Sequence, residues 1–100
     1  MGSYILNDDN EPLLTDLISG AQWFEQNPDR RRVAYTELEP QNCQVSTVFL
    51  GVDHSFNGGP PVLWETMVFG LENEFMERYT SHADALAGHA EIVAKILARN

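Results

Sequence analysis

Cysteine and basic residues are scarce in this chain of 100 residues, and no apolar run is long enough to cross a bilayer. The single cysteine, Cys43, excludes an intramolecular disulfide. Together with the lack of a recognisable signal peptide, it predicts a reducing, cytosolic environment. A membrane helix needs about 20 consecutive apolar residues, so we expect no membrane span.

Charge is strongly one-sided, with 15 acidic residues, six basic residues and a formal net charge of −9. A protein that binds a nucleic-acid backbone needs a basic face, so we expect no direct binding to nucleic acid. The same charge balance argues against docking on an anionic membrane surface. Two interpretations of the acidity stay open. It serves solubility alone, or it steers the protein towards a basic partner, such as the nucleic-acid-binding groove of another protein.

The length and the hydrophobic content of 43% are typical of one small folded domain. We therefore expect a single α+β domain over residues 1–100. The core of such a domain is thin, because a small domain buries a smaller share of its surface. Association into a homodimer is the usual way to bury more, so a homodimer is a reasonable expectation.

Four segments rich in β-branched and aromatic residues predict four strands in the middle of the chain. They are Arg32 to Leu38, Cys43 to Leu50, Val62 to Phe69 and Glu74 to Tyr79. Parallel neighbours need long crossovers, so the short connections between these segments predict an antiparallel meander. A short apolar segment, Tyr4 to Leu6, could add an edge strand.

Helical periodicity precedes and follows the strands. The first helix is predicted to begin near Thr15 as the N-cap and to end at Asn27-Pro28. Its apolar positions are Leu14, Leu17, Ile18, Ala21 and Phe24. The last helix is predicted to begin after Ser81 as the N-cap. Its apolar stripe is Ala83, Leu86, Ala90, Val93, Ile96 and Leu97. The predicted architecture is αββββα, a two-layer sandwich with both helices packed on a four-stranded sheet.

The loop from Asp53 to Pro61 is the first place to look for a site, because loops on a rigid scaffold often carry function. Asp53 and His54, with Glu65 on the next strand, could bind a divalent metal or transfer protons. Their spacing matches no metal motif. Asp53 and His54 could instead cap the turn by hydrogen-bonding to nearby backbone. Phe56 in the same loop would mark a binding surface if it were exposed.

Glu65 and the arginines have alternative interpretations too. Glu65 alternates with apolar residues, so on a buried face it needs a cationic partner, such as Arg78, or a raised pKa. The three consecutive arginines could clamp a phosphate or carboxylate, or form surface ion pairs with the many acids. His89 flanks the apolar stripe of the last helix, which favours a packing role. The candidate ligand- or partner-binding residues are Asp53, His54, Phe56, Glu65, Arg30, Arg31 and Arg32.

No nucleophile elbow, phosphate-binding glycine loop or dinucleotide fingerprint is present. Gly58-Gly59 is followed by two prolines, which lack amide donors and make a poor phosphate cradle. We therefore assign no catalytic residue, no metal site and no cofactor, and we favour a non-enzymatic role.

Several segments together resemble a family of small uncharacterised proteins of tailed bacteriophages. They are Val45-Ser-Thr-Val-Phe-Leu-Gly-Val-Asp-His54, the Gly-Pro-Pro turn at 59–61, Trp64-Glu-Thr-Met-Val-Phe-Gly70, Arg78-Tyr-Thr80 and Ala85-Leu-Ala-Gly-His89. The chain has Gly70-Leu71 where the family would have a double glycine. The resemblance implies a phage gene product made in the host bacterial cytoplasm, and it implies no particular activity.

These observations favour a small acidic accessory protein that binds and inhibits or modulates a host or defence protein. One alternative is a protein that sequesters a nucleotide signal, with the arginines, Phe56 and His54 as its pocket. Another is a metal-dependent hydrolase that uses Asp53, His54 and Glu65. A third is a virion or assembly protein, which would form a stable symmetric oligomer.

Overall fold

Six strands and three helices make up the described part of the chain, residues 3–55, 58–71 and 75–98 of a computed structural model. Their order is β1 (Ser3–Leu6), β2 (Pro12–Thr15), α1 (Leu17–Gln26), α2 (Pro28–Arg31), β3 (Arg32–Leu38), β4 (Cys43–Phe49), β5 (Trp64–Phe69), β6 (Phe75–Tyr79) and α3 (His82–Leu97). The predicted α+β class is confirmed. No helix within these residues is long and apolar enough to span a membrane.

The main sheet has the order β3-β4-β5-β6, and every pair in it is antiparallel, as the short connections predicted. Since side chains alternate along a strand, the register sorts them into two faces. A β-bulge between Arg32 and Ala34 shifts this alternation, so Arg32 and Tyr35 lie on the same face. The helix α3 contacts all four strands and covers one face.

The opposite face of the main sheet, which we call the open face, has three rows of side chains that run across the strands. The first row is Arg32, Val48, Glu65 and Arg78, the second is Tyr35, Ser46, Met67 and Met76, and the third is Glu37, Gln44 and Phe69. Tyr35, Phe69 and Met76 are exposed. The sheet therefore has one buried face and one that meets solvent, as antiparallel sheets commonly do.

The helix α3 begins after Ser81, whose hydroxyl accepts a hydrogen bond from the backbone amide of Asp84 (3.0 Å), so the predicted N-cap is confirmed. The predicted apolar stripe is wrong in most of its members, because Ala83, Leu86, Ala90 and Leu97 are exposed. The residues that face the sheet are Ala85, Gly88, His89, Ile92 and Ile96. Small residues allow a close approach to the sheet, and partners in the sheet satisfy the histidine, so hydrophobicity alone selected the wrong side.

The N-terminal segment forms a hairpin, in which β1 pairs with β2 in antiparallel register. It contacts the segment that follows β4, where the Tyr4 amide donates to the Gly51 carbonyl (2.8 Å) and Ser3 forms an isolated bridge with Val52. The N-cap of α1 is Asp16 rather than the predicted Thr15. Its carboxylate accepts from the Ser19 amide (2.8 Å), and an aspartate is the stronger cap. The predicted apolar positions of this helix are wrong for four of the five residues. Their exposed members are Leu14, now in β2, Leu17, Ile18 and Ala21.

Two clusters of buried apolar residues form the core. The first joins the hairpin, α1 and one end of the sheet around Leu6, Phe49, Leu63 and Trp64. The second lies under the C-terminal half of α3 and contains Leu38, Cys43, Val45, Val68, Ile92 and Ile96. The N-terminal helix thus packs at one end of the domain beside its own hairpin, and α3 alone lies along the main sheet.

Candidate functional site

The loop after β4 is held by the carboxylate of Asp53. One of its oxygens accepts hydrogen bonds from the backbone amides of Ser55 (2.8 Å) and Val62 (2.9 Å), and the other accepts from the Ser55 hydroxyl (2.9 Å). The Val62 amide, followed by the Ser55 amide, holds the pKa of Asp53 below its usual value. The turn-capping interpretation of Asp53 is therefore confirmed.

The other loop candidates do not form a site with Asp53 among the described residues. The backbone amide of His54 donates to the Val62 carbonyl (2.9 Å), and its side chain is half-buried. Phe56 lies outside the residues that the structure describes. Across residues 3–55, 58–71 and 75–98, no group of three or more His, Cys, Asp or Glu side chains could hold a metal ion.

Glu65 is buried on the open face and pairs with Arg78 on the neighbouring strand, through Nε to Oε2 at 2.9 Å. The two residues are direct partners in the β5–β6 register. This is the cationic partner that the alternation of β5 predicted. The Glu65–Arg78 pair is therefore structural.

The three consecutive arginines point to different partners. Arg30 lies over the ring of Trp23, and its guanidinium donates to the Leu6 carbonyl (3.4 Å), the Asn7 carbonyl and the Asn10 side chain (3.1 Å). It ties the turn between β1 and β2 to the body of the protein. The other two lie over single aromatic rings. Arg31 is 4.4 Å from the ring centre of Phe24, and Arg32 is 5.0 Å from that of Tyr35.

Arg31 and Arg32 do meet at one open cleft of about 410 Å³, whose other lining residues are Pro28, Asp29 and Val48. The cleft therefore combines two guanidinium groups with one carboxylate. Arg30 is absent from the residues that line it. The structure thus brings together two of the three arginines, without the loop residues Asp53 and His54.

A chain of polar side chains, not predicted from the sequence, crosses the buried side of the sheet. The His89 ring bonds through Nε2 to the Thr36 hydroxyl (2.8 Å) and through Nδ1 to the Thr47 hydroxyl (2.7 Å). Thr47 bonds to Thr66, which accepts from the Tyr79 hydroxyl (3.0 Å). Each strand of the main sheet contributes one member. Inward-facing threonines at paired positions, opposite a histidine on the last helix, were the signal that could have revealed it.

Because His89 is buried within this chain of bonds, the stability of the protein should depend on pH. Burial lowers the pKa of His89 below its ordinary value of 6.5. The unfolded state therefore binds more protons than the folded state just below that pH. We expect the free energy of unfolding to fall as the pH drops through 6.5, with a slope of at most about 1.4 kcal/mol per pH unit. His89→Gln should flatten the change between neutral pH and pH 5.5, as measured by urea denaturation.

His82→Gln is the control, because it removes a different imidazole from the same helix. Below pH 5 the many carboxylates begin to titrate, so the comparison stays above that value. A flattening with His82→Gln and none with His89→Gln would contradict the assignment.

Exposed charge is overwhelmingly negative on the described surface. The exposed acids are Asp8, Asp9, Glu11, Asp16, Glu25, Asp29, Glu37, Glu39, Glu77, Asp84 and Glu91. The exposed bases are Arg32 and Lys95. Arg30, Arg31 and Arg78 are half-buried against aromatic rings, carbonyls or Glu65. Folding thus withdraws three of the five described bases from the surface and leaves eleven of the 13 described acids exposed.

Comparison with known proteins yields no match: no family model fits the chain, and neither a curated protein nor a solved structure resembles it.

Proposed function

We propose that this protein is a non-enzymatic, phage-encoded accessory protein of the host cytoplasm, which binds and inhibits or modulates a host or defence protein. Its partner is a protein with a basic, nucleic-acid-binding surface. The observation that supports this proposal is the balance of exposed charge, with eleven exposed acids and two exposed bases among the described residues. The phage origin rests on the resemblance of the strand and loop segments.

The turn between β1 and β2 displays part of this acidity on an ordered backbone. We call Asp8, Asp9 and Glu11 the acidic turn; all three are exposed. The side-chain oxygen of Asn7 accepts hydrogen bonds from the amides of Asp9 and Glu11, both at 2.9 Å. Arg30 anchors the same turn from below. A fixed array of carboxylates loses little entropy on binding and steers a basic partner towards itself.

The two carboxylates that a hydrolase would use already have structural partners, which supports a non-enzymatic role. The carboxylate of Asp53 caps a turn, and that of Glu65 is paired with Arg78. The nucleotide-sequestering alternative depends on the cleft that Arg31 and Arg32 line. The carboxylate of Asp29 lines the same cleft and would repel a phosphate there. We also expect a homodimer, with or without the partner, because so small a domain buries a limited share of its surface.

The test is capture of a partner from phage-infected host cells with the tagged protein, followed by native mass spectrometry. We expect a stoichiometric host protein whose binding weakens steeply with salt and which duplex DNA or RNA displaces. The triple variant Asp8→Asn, Asp9→Asn, Glu11→Gln should weaken capture by at least about tenfold, because it removes three charges while keeping side-chain shape.

The control variant is Glu39→Gln, Asp84→Asn, Glu91→Gln, which removes the same charge from other parts of the surface. A partner that resists salt and survives both variants would contradict the proposal. So would the recovery of a small molecule or metal in place of a protein.

A further inference from the structure

The open face differs in charge from the rest of the protein. Among the described residues it carries two cations, Arg32 and Arg78, and two anions, Glu37 and Glu65. These charges cancel, whereas the described residues as a whole include 13 acids and only five bases. Two copies of so acidic a chain repel each other at most orientations, and a neutral surface is where that repulsion is smallest.

The same face exposes large apolar side chains. Tyr35, Phe69 and Met76 are 43%, 48% and 52% exposed, and Met67 between them is half-buried. Clustered exposed side chains of this kind mark interaction surfaces, whereas single ones need no explanation. Aromatic residues and methionine are also the types enriched at protein interfaces, and exposed carboxylates are depleted there.

We propose that the open face binds the open face of a second copy of this chain, around a two-fold axis that crosses the strands at the middle row. This interface does not depend on the function proposed above. Such an axis reverses strand direction, so β3 lies over β3 of the partner and the first row lies over the partner's third row. Two sheets that pack in this way are inclined by about 30°.

This arrangement makes the face complementary to itself. Arg32 begins β3 and Glu37 lies near its end. The axis therefore places Arg32 opposite Glu37 of the partner subunit, once at each end of the interface. Tyr35, Met67 and Met76 of the middle row meet the same residues of the partner near the axis. The first row has one more cation than anion, and the described part of the third row carries one anion. A different partner with an apolar surface would not require opposite charges at matching positions of this face, whereas a second copy does.

The size of the face suits a reversible dimer. Strands about 4.8 Å apart and about 3.4 Å per residue give a four-stranded patch of roughly 19 by 20 Å. Weak, transient interfaces bury less than about 1,200 Å² in total, and stable ones bury about 1,600 Å². A patch of this size belongs near the lower class, so we expect a monomer–dimer equilibrium that depends on concentration.

Sedimentation equilibrium from micromolar to millimolar concentration tests the proposal. We expect the chain to dimerise, and Arg32→Glu or Glu37→Arg to weaken association by at least about tenfold each, because each puts like charges opposite one another. The double variant, Arg32→Glu with Glu37→Arg, should recover most of the affinity, since it restores opposite charges across the axis. Lys95→Glu and Glu25→Arg make the same charge changes away from the face and should leave association unchanged.

Met76→Asp provides a second test on an exposed residue and should weaken the dimer without unfolding the monomer, as circular dichroism would verify. A chain that stays monomeric at every concentration would overturn the proposal. A dimer whose affinity is the same in the charge variants would also overturn it. The copies would then associate through another surface, for example the exposed leucines of β2. A failure of partner capture leaves this result unaffected.

Discussion

Phe49→Ala should lower the free energy of unfolding by about 3–5 kcal/mol, the usual cost of removing a buried aromatic ring. Phe49 is fully buried at the end of β4. Its ring centre lies 5.8 Å from that of Trp23, edge to face, and 5.5 Å from that of Trp64. The ring therefore joins α1 to the main sheet, and its loss leaves a cavity between two large rigid side chains that cannot easily collapse.

Phe69→Ala is the comparison, since it makes the same chemical change in the same sheet. Phe69 is 48% exposed on the open face, so we expect a loss of less than about 1 kcal/mol. Urea denaturation monitored by tryptophan fluorescence measures both, at a concentration low enough to keep the chain monomeric. Equal losses of unfolding free energy in the two variants would show that the cluster around Phe49 does not hold α1 against the main sheet.

The strands were predictable because alternation and turn residues are local signals. Arg32 to Leu38 was predicted and observed with the same bounds, and the other three predicted strands of the sheet differ by one or two residues where they are described. The start predicted at Glu74 lies outside the described residues. The antiparallel order followed from short connections, which no parallel arrangement can use.

The sides of the two long helices were not predictable in the same way. Leu86 and Leu97 are more hydrophobic than Gly88 and His89, yet the latter pair faces the sheet. Which side of a helix is buried depends on the shape and polarity of the surface that receives it. Here the receiving surface contains a tyrosine ring that needs a small neighbour and threonine hydroxyls that need a polar one.

The candidate site was predictable where partners are close in sequence or adjacent in register. Asp53 caps its own loop, and Glu65 pairs with Arg78 across two neighbouring strands. The contacts of the arginines were not predictable, because their aromatic partners become neighbours only after folding. In addition, consecutive residues at the end of a helix point in different directions. The open face was also hidden, since strand alternation shows two faces without showing which one a helix covers.

Gly88→Ala should destabilise the protein by about 1–3 kcal/mol, although alanine favours a helix by nearly 1 kcal/mol over glycine. Gly88 lies in the middle of α3 and is buried. A β-carbon there would overlap the ring and hydroxyl of Tyr79, which is itself buried and bonded to Thr66. The ring cannot move away without breaking that bond, so α3 would have to shift from the sheet.

At an exposed position on the same helix, alanine should be the more stable residue and glycine the less stable one. Ala90→Gly should cost up to about 1 kcal/mol through helix propensity alone. Combining Gly88→Ala with Tyr79→Leu should cost less than the sum of the two single changes, because the smaller side chain makes room for the new methyl group. Thermal and urea denaturation of the natural chain, the two single variants and the double variant measure this coupling. Additive losses, or a Gly88→Ala variant more stable than the natural chain, would show that α3 does not depend on this close contact.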